Sequence, residues 1–302
     1  MEFRQLEYFI AVASEMNFSR AADRVHVVQS ALSTSVGKLE KELGVELLDR
    51  SRRQIRLTPA GEIFLENARR VVLTARSAKE SISDYRGQLS GTVEFGSLVS
   101  FGPLEVPRIL GDFHRTHPLV RINLRQSQSG SMSYLAAIAD GSMDLALVSE
   151  PERFPANVNM RLLSEEPMIY VCRPDHSLAG REYVDIRELA EEYILGFSAG
   201  FGLQRVVAKA FAEAGMTPRT PNELTIDFSA AADLVRHGLG SIFMPLSEAG
   251  RFPDLVSLPI VPEIHCRIFL AWAKGEPVRR ASATLAELLL ESAGRASRPP
   301  KP

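Results

Sequence analysis

The chain has 302 residues, 45% of them hydrophobic and 24% charged, which suits about two globular domains and excludes a disordered or fibrous protein. Lysine and arginine number 35 against 37 aspartate and glutamate residues, so overall charge gives no sign of a nucleic-acid partner. Two distant cysteines, Cys172 and Cys266, predict neither a disulfide framework nor a zinc site. The opening residues lack a signal-peptide pattern and no apolar run is long enough to cross a membrane, so we expect a cytoplasmic protein.

The charge balance changes along the chain. Residues 1–90 carry 14 basic and 12 acidic side chains, which leaves 21 and 25 for the rest. The first part has the pattern of short helices, a hairpin and one long helix, whereas β-rich runs alternate with helices from Gly91 onward. That alternation predicts α/β layering. The last residues, from Ala293, lack apolar periodicity and are expected to form a frayed tail.

Two short helices and a turn are predicted near the start. Apolar residues recur at helical spacing from Phe3 to Ala13, and Ser19 is the expected N-cap of a second helix. The following helix has one apolar stripe, and Gly44 suits its left-handed end. The stripe consists of Leu32, Val36, Leu39 and Leu43. The pattern fits a helix-turn-helix whose second helix enters the DNA major groove, although such helix pairs more often serve only as core.

Residues 50–56, RSRRQIR, place four arginines in seven positions between apolar anchors. They predict a basic hairpin, or wing, whose guanidinium groups would meet phosphates beside a groove-reading helix. The alternative is that these side chains are merely solvated charge.

A long helix is predicted after the hairpin, with Thr58 as its cap and Pro59 as its first residue, running to about Arg86. Its apolar positions alternate in steps of four and three, which is the seam of a dimerising coiled coil. They are Phe64, Ala68, Val71, Ala75, Ala78, Ile82 and Tyr85. The alternative is a helix that lies along its own domain.

Taken together, these segments resemble the LysR-type transcriptional regulators. The matching motifs lie in the family's order and spacing: Ala21-Ala22, Gln29 to Ser33, Leu39-Glu40, Leu43-Gly44, Leu47-Leu48, Arg50 and Leu57 to Gly61. Looser matches, Gly141 to Ala146 and Gly238 to Gly240, extend the resemblance over essentially the whole chain.

The resemblance implies an α/β protein with an N-terminal winged helix-turn-helix, a long linker helix and a bilobed effector domain like that of periplasmic binding proteins. The implied boundaries are 1–58 for the DNA-binding domain, 59–90 for the linker helix, 91–292 for the effector-binding domain and 293–302 for the tail. Lobe one would comprise 91–161 and 266–292, and lobe two 162–265. The implied partners are double-stranded DNA, a small-molecule effector and further copies of the chain, as a homodimer through the linker helix and commonly a homotetramer.

The residues expected to contact DNA lie on the second helix of the motif and on the wing. Four are expected near bases: Gln29, Ser30, Ser33 and Thr34. Four more are expected mainly on phosphates: Lys38, Arg50, Arg52 and Arg53. Two positions depart from the family, because Val28 replaces a capping Ser or Thr and Thr34 replaces an arginine that could bond guanine in a bidentate manner.

After Gly91, strand ends repeatedly lead into serine-bearing helix starts. Ligands of open α/β sheets gather at such strand ends, where helix amides favour anions. The resemblance places the effector cleft there, between the lobes, with six expected lining residues: Ser100, Ser131, Ser149, Ser198, Phe201 and Phe228. An anionic effector held by amides and hydroxyls is one hypothesis, and simple helix capping by each serine is the alternative. No cofactor or metal site is expected.

Two rival functions remain for comparison. Gly196-Phe197-Ser198-Ala199-Gly200 is a literal GxSxG, followed by Asp227 or Asp233 and by His237 or His265, which is the order of a serine-hydrolase triad. No oxyanion motif precedes it, and a hydrolase would leave the first 90 residues unexplained. A solute-binding protein would account for the second part only. We therefore expect a regulator rather than an enzyme.

Overall fold

The computed structural model describes residues 1–50, 55–85, 88–98, 100–126, 130–197, 201–221, 223–224, 227–275 and 279–296. The chain divides into two compact units: Met1–Gln88 with Asp140–Ser142 form the amino-terminal unit, and the rest forms the carboxyl-terminal unit. Within the described residues, no helix is long and apolar enough to cross a membrane.

The amino-terminal unit is a helical bundle with a two-stranded hairpin. Its elements are α1 Phe3–Glu15, α2 Phe18–Arg24, α3 Gln29–Leu43, β1 Leu48–Asp49, β2 Arg56–Leu57 and α4 Pro59–Tyr85. The strands β1 and β2 are antiparallel, with Leu48 opposite Leu57. This arrangement confirms the predicted winged helix-turn-helix.

The helix ends of this unit follow local capping chemistry. Asn17, not Ser19 as predicted, caps α2, because its Oδ1 accepts hydrogen bonds from the amides of Ser19 and Arg20 at 2.9 and 3.1 Å. Gly44 ends α3 in the left-handed conformation at φ 70°, as predicted. The Thr58 hydroxyl accepts a hydrogen bond from the Gly61 amide at 3.0 Å, which confirms it as the cap of α4.

The predicted seam of α4 splits into two parts. Ala68 is buried in the core of its own unit, and the ring of Phe64 packs edge-on against Phe9 at 5.4 Å. Val71 is exposed. Ala75 and Ala78 are exposed as well, and the side chains of Ile82 and Tyr85 lie outside those that the structure describes. The prediction of one continuous seam was therefore wrong for the first turns, where the same helix also has to cover α1.

The carboxyl-terminal unit alternates strands and helices. Its strands are β3 Gly91–Ser97, β4 Val120–Gln126, β5 Leu145–Ser149, β6 Val158–Cys172, β7 Val184–Asp185, β8 Gly196–Phe197, β9 Glu223–Leu224, β10 Ile242–Pro245, β11 Val256–Leu258, β12 Ile260–Val261 and β13 His265–Ala273. Its helices are α5 Val106–Thr116, α6 Ser131–Ala139, α7 Gly202–Glu213, α8 Phe228–Arg236, α9 Leu246–Ala249 and α10 Arg280–Ala296.

One long strand connects two lobes. The main sheet has the order β10-β6-β13-β5-β3-β4, and β11 also pairs with β6. The first part of β6 pairs with β13 up to Pro167, and its last part, from Met168, pairs with β10. The chain therefore crosses between lobes near Pro167-Met168, later than the predicted Arg161-Leu162, because β6 continues unbroken through that point.

Each lobe has its own apolar core. In lobe one, Phe95, Phe113 and Leu285 bring β3, α5 and α10 together. In lobe two, Tyr170, Phe211 and Phe243 join β6, α7 and β10. The helix α10 reaches Ala296 and buries Ala293, so the prediction of a frayed tail was wrong for residues 293–296. Residues 297–302 lie outside the described range.

Candidate DNA-binding surface and effector cleft

The helix α3 has one buried face and one polar face. Leu32, Val36 and Leu39 are fully buried against the other helices, whereas Leu43, predicted on the same stripe, is 39% exposed. On the polar face, Ser33 is half-buried and the other expected base-contacting residues are exposed: Gln29, Ser30 and Thr34. A helix of this kind can enter a major groove without uncovering its core.

A shallow groove next to α3 adds a cation that the sequence analysis missed. Arg4, in the first turn of α1, lines this groove together with Ser30, Thr34 and Lys38. Both Arg4 and Lys38 are exposed. The groove therefore combines two positive side chains and small hydroxyls with one carboxylate, that of Glu2. The cations and hydroxyls are groups that commonly contact phosphates. The signal available in the sequence was only that Arg4 interrupts an apolar helix.

The wing is attached to α3 through Glu40. One carboxylate oxygen of Glu40 accepts hydrogen bonds from the amides of Leu47 and Leu48, and the other pairs with Arg50 at 2.6 Å. The Arg50 guanidinium also lies 5.2 Å from the centre of the Phe18 ring. Arg50, expected mainly on phosphate, is thus held by its own unit. Arg52 and Arg53 lie outside the described residues.

The second candidate site is a cleft between the two lobes of the carboxyl-terminal unit. Five of the six expected lining residues lie in it, and the sixth, Ser198, is outside the described residues. The five are Ser100, Ser131, Ser149, Phe201 and Phe228. The fold brings them together because the strands β3 and β5 end at this cleft and the helices α6, α7 and α8 begin there.

Serine hydroxyls line the lobe-one side of the cleft. The hydroxyls of Ser131 and Ser149 lie 2.8 Å apart, and the Ser149 amide donates to the Ser131 hydroxyl at 3.0 Å. The Ser100 hydroxyl donates across the cleft to Glu248 of α9 at 2.5 Å. Rings line the opposite side, where Phe197 and Phe228 pack edge-on at 5.5 Å. The cleft therefore offers hydroxyls on one wall and apolar contact on the other.

The charged residues of the cleft were missed by the sequence analysis. Glu166 of β6 lines it and is only 7% exposed, and Arg267 of β13 lies nearby. Arg267 pairs with Glu150 at 3.1 Å and with Glu165 at 3.0 Å. Burial raises the pKa of the Glu166 carboxyl, although hydrogen bonds from Ser247 oppose the rise.

The lobes approach each other closely at the start of α7. A Cβ added to Gly202 would lie 2.0 Å from the Ser149 Oγ, so only glycine permits this contact. The cleft encloses a cavity of about 60 Å³. A cavity of about 150 Å³ is needed to hold a benzene ring, so a ligand of that size requires the lobes or their side chains to move apart.

The residues of the hypothetical hydrolase triad have other roles. The Asp227 carboxylate caps α8 by accepting the Ala230 amide at 2.8 Å. His237 Nδ1 contacts the backbone oxygen of Asp233, and His265 lies 3.5 Å from Glu263. These histidines are engaged at a helix end and with a surface carboxylate, so the geometry gives the hydrolase alternative no support.

A groove-reading helix with a wing, and a two-lobed sheet domain with an internal cleft, together define a DNA-binding regulator that carries a ligand-sensing domain. Residues 3–62 match the family model described as bacterial regulatory helix-turn-helix protein, lysR family, and residues 86–294 match the LysR substrate binding domain. The chain belongs to the LysR family of DNA-binding transcriptional regulators.

Relatives share nearly the whole chain. The HTH-type transcriptional regulator ShiR of Corynebacterium glutamicum is 34% identical over 280 residues, covering 91% of this chain and 94% of ShiR. The dual regulator OxyR of Escherichia coli is 33% identical, covering 96% and 95%. A hydrogen peroxide-inducible genes activator of Pectobacterium carotovorum is 32% identical, covering 96% of each chain.

Solved structures have the same architecture. A full-length variant of OxyR from Pseudomonas aeruginosa superimposes with a TM-score of 0.71 at 25% identity, covering 97% of this chain and 94% of that one. Full-length CbnR in complex with its target DNA has a TM-score of 0.63 at 28% identity, covering 97% and 100%.

Proposed function

We propose that this regulator binds specific DNA sites through the polar face of α3, with Gln29, Ser30, Ser33 and Thr34 at base edges. The observation that carries the proposal is the accessibility of this face opposite the fully buried Leu32, Val36 and Leu39. Phosphate contacts come from Lys38, Arg52 and Arg53, and we add Arg4 to them.

Sequencing of the genomic fragments retained by the purified chain tests this proposal. A shared motif in the retained DNA is expected, and Gln29→Ala should relax the preference at one position of it. If the retained DNA fragments shared no motif, the result would contradict the recognition of specific bases by α3. Leu43→Ala is a control, because Leu43 lies at the far end of the same helix.

We further propose that an effector binds in the cleft between the lobes and that hinge closure around it alters DNA binding. The small cavity and the cross-lobe bond from Ser100 to Glu248 support this, because a ligand has to displace such contacts. The test first identifies small molecules that raise the melting temperature of the chain. It then measures operator binding with and without each of them. A ligand that stabilises the chain but never changes operator affinity would contradict the coupling.

Assembly into a dimer, and from dimers into a tetramer, is proposed to use the apolar positions of α4 that its own unit leaves uncovered. Val71 is 47% exposed, and the sequence continues its stripe with Ala75 and Ala78, small residues that let two helices approach closely. Val71→Glu would place like charges in that contact. Sedimentation velocity should then show a smaller species, and an unchanged oligomer would exclude this face.

A regulator in this role has no catalytic activity and acts in the cytoplasm, where its DNA is. Peroxide induction, named for several relatives, is not favoured here. Reaction with peroxide requires a thiolate, and burial raises the pKa of Cys172 to about 11 and that of Cys266 to about 12. Treatment with hydrogen peroxide is therefore expected to leave operator binding unchanged.

A further inference from the structure

Glu166 is a buried carboxylate on the wall of the effector cleft. It lies on β6 at the crossing between the lobes and is 7% exposed. A carboxylate removed from water needs hydrogen-bond donors or a cation to offset the lost hydration. The identity of its partners therefore shows what a ligand in the cleft has to provide.

Among the described residues, Ser247 supplies the hydrogen-bond donors of Glu166. The Ser247 amide donates to Oε2 at 2.7 Å, and the Ser247 hydroxyl donates to Oε1 at 2.9 Å. A carboxylate has about four lone-pair sites, so each oxygen retains acceptor capacity. No ion pair in the described part of the chain includes Glu166. The neighbouring Glu248 carboxylate adds to the rise of the Glu166 pKa that burial causes.

The charges around the cavity do not favour a carboxylate at this end. Among the described residues, the charged side chains that line it are Glu150, Glu166 and Arg267. Arg267 is already paired with Glu150 and Glu165, at 3.1 and 3.0 Å. Ile268 and Gly102 lie next to Glu166 and bring no charge to this end of the cleft. An anionic group placed beside Glu166 would meet a like charge in a poorly hydrated site.

We propose that the effector presents a hydrogen-bond donor, a hydroxyl or an ammonium group, to the Glu166 carboxylate. This rests on the proposed function, in which the cleft is the effector site. The body of the effector is apolar and lies against Phe197 and Phe228. The hypothesis of an anionic effector is thereby restricted to the Ser131 and Ser149 end of the cleft.

The test uses small molecules that differ in one group. Apolar bodies from propyl to benzyl each carry an ammonium, a hydroxyl or a carboxylate, and ligand-observed NMR measures their binding to the full chain. Glu166→Gln keeps the shape and an acceptor for the Ser247 amide but removes the charge. Glu263→Gln makes the same change at an exposed carboxylate on the surface. Val206 also lines the cleft, so Val206→Phe should narrow it and weaken the binding of those molecules that occupy it.

The amines and alcohols should be the molecules whose binding is lost in Val206→Phe. Glu166→Gln should weaken the binding of the amines at least tenfold, whereas Glu263→Gln should leave their binding unchanged. If Glu166→Gln weakens the binding of the amines but not that of the alcohols, the donor is an ammonium group. Cleft binding by the carboxylates with equal affinity, insensitive to Glu166→Gln, would overturn the inference and leave the effector site standing. If Val206→Phe weakened the binding of none of the molecules, the proposed effector site would be overturned as well. The proposal of operator binding is measured separately and would not be affected.

Discussion

Gly202 begins α7 at the point where lobe two meets Ser149 of lobe one. In a Gly202→Ala variant the new Cβ would lie 2.0 Å from the Ser149 Oγ and 2.2 Å from its Cβ. Carbon atoms in contact sit about 3.5–4.0 Å apart, so the two segments have to separate by roughly 1.5 Å. Overpacking of this kind costs about 1–3 kcal/mol, and we expect that loss in the stability of the carboxyl-terminal unit.

Urea unfolding followed by tryptophan fluorescence measures this loss directly, because Trp272 on β13 is the only tryptophan in the chain. Ser149→Gly removes both overlapping atoms, so the double variant should lose less than the sum of the two single losses, by about 1 kcal/mol or more. Gly180→Ala is the control, since a Cβ there meets nothing within 4 Å. Additive losses, or a Gly202→Ala variant as stable as the original chain, would refute the tight contact.

Gly61, Glu166 and Lys38 provide tests at the other sites. Gly61→Ala should destabilise the amino-terminal unit by about 1–3 kcal/mol in thermal unfolding, because its Cβ would lie 2.0 Å from the backbone oxygen of Leu47; an unaltered melting temperature would contradict that packing. The raised pKa of Glu166 means that its contribution to stability is present at pH 4 and is lost as pH rises through the folded-state pKa. The stability of Glu166→Gln relative to the original chain should therefore increase from pH 4 to pH 7. A difference in urea midpoint between the two chains that is the same at both pH values would argue against a buried carboxylate. Lys38→Ala should weaken binding to every duplex and reduce the salt slope by about 1, whereas Gln29→Ala should change preference; identical effects of both would show that bases and phosphates are not read separately.

The helix-turn-helix could be predicted because its signals are local. The stripe from Leu32 to Leu39, the left-handed Gly44 and the Thr58 cap each act within a few residues. Where two local signals competed, prediction failed: Ser19 and Asn17 are both good caps, and only the start of α2 at Phe18 selects Asn17. The apolar side of α4 was interpreted as one seam, since a sequence cannot divide such a face between its own core and a partner.

The cleft was predictable in part for the same reason. Serines that follow strands indicated where ligands gather, and Ser100, Ser131 and Ser149 lie there. Glu166 was missed because nothing near it in the sequence marks it. Its partner Ser247 is 81 positions away, and the two meet only because β10 pairs with the end of β6 and leads directly into α9.

Selection of DNA sequence by the polar face of α3 is tested most directly by one comparison of two duplexes. Fluorescence anisotropy with the motif recovered from retained genomic DNA, and with a scrambled duplex of equal length and salt, gives the specificity ratio. We predict at least roughly a thousandfold preference for the motif, falling by about tenfold or more in Gln29→Ala. Equal affinity for both duplexes, unaffected by Gln29→Ala, would contradict the account.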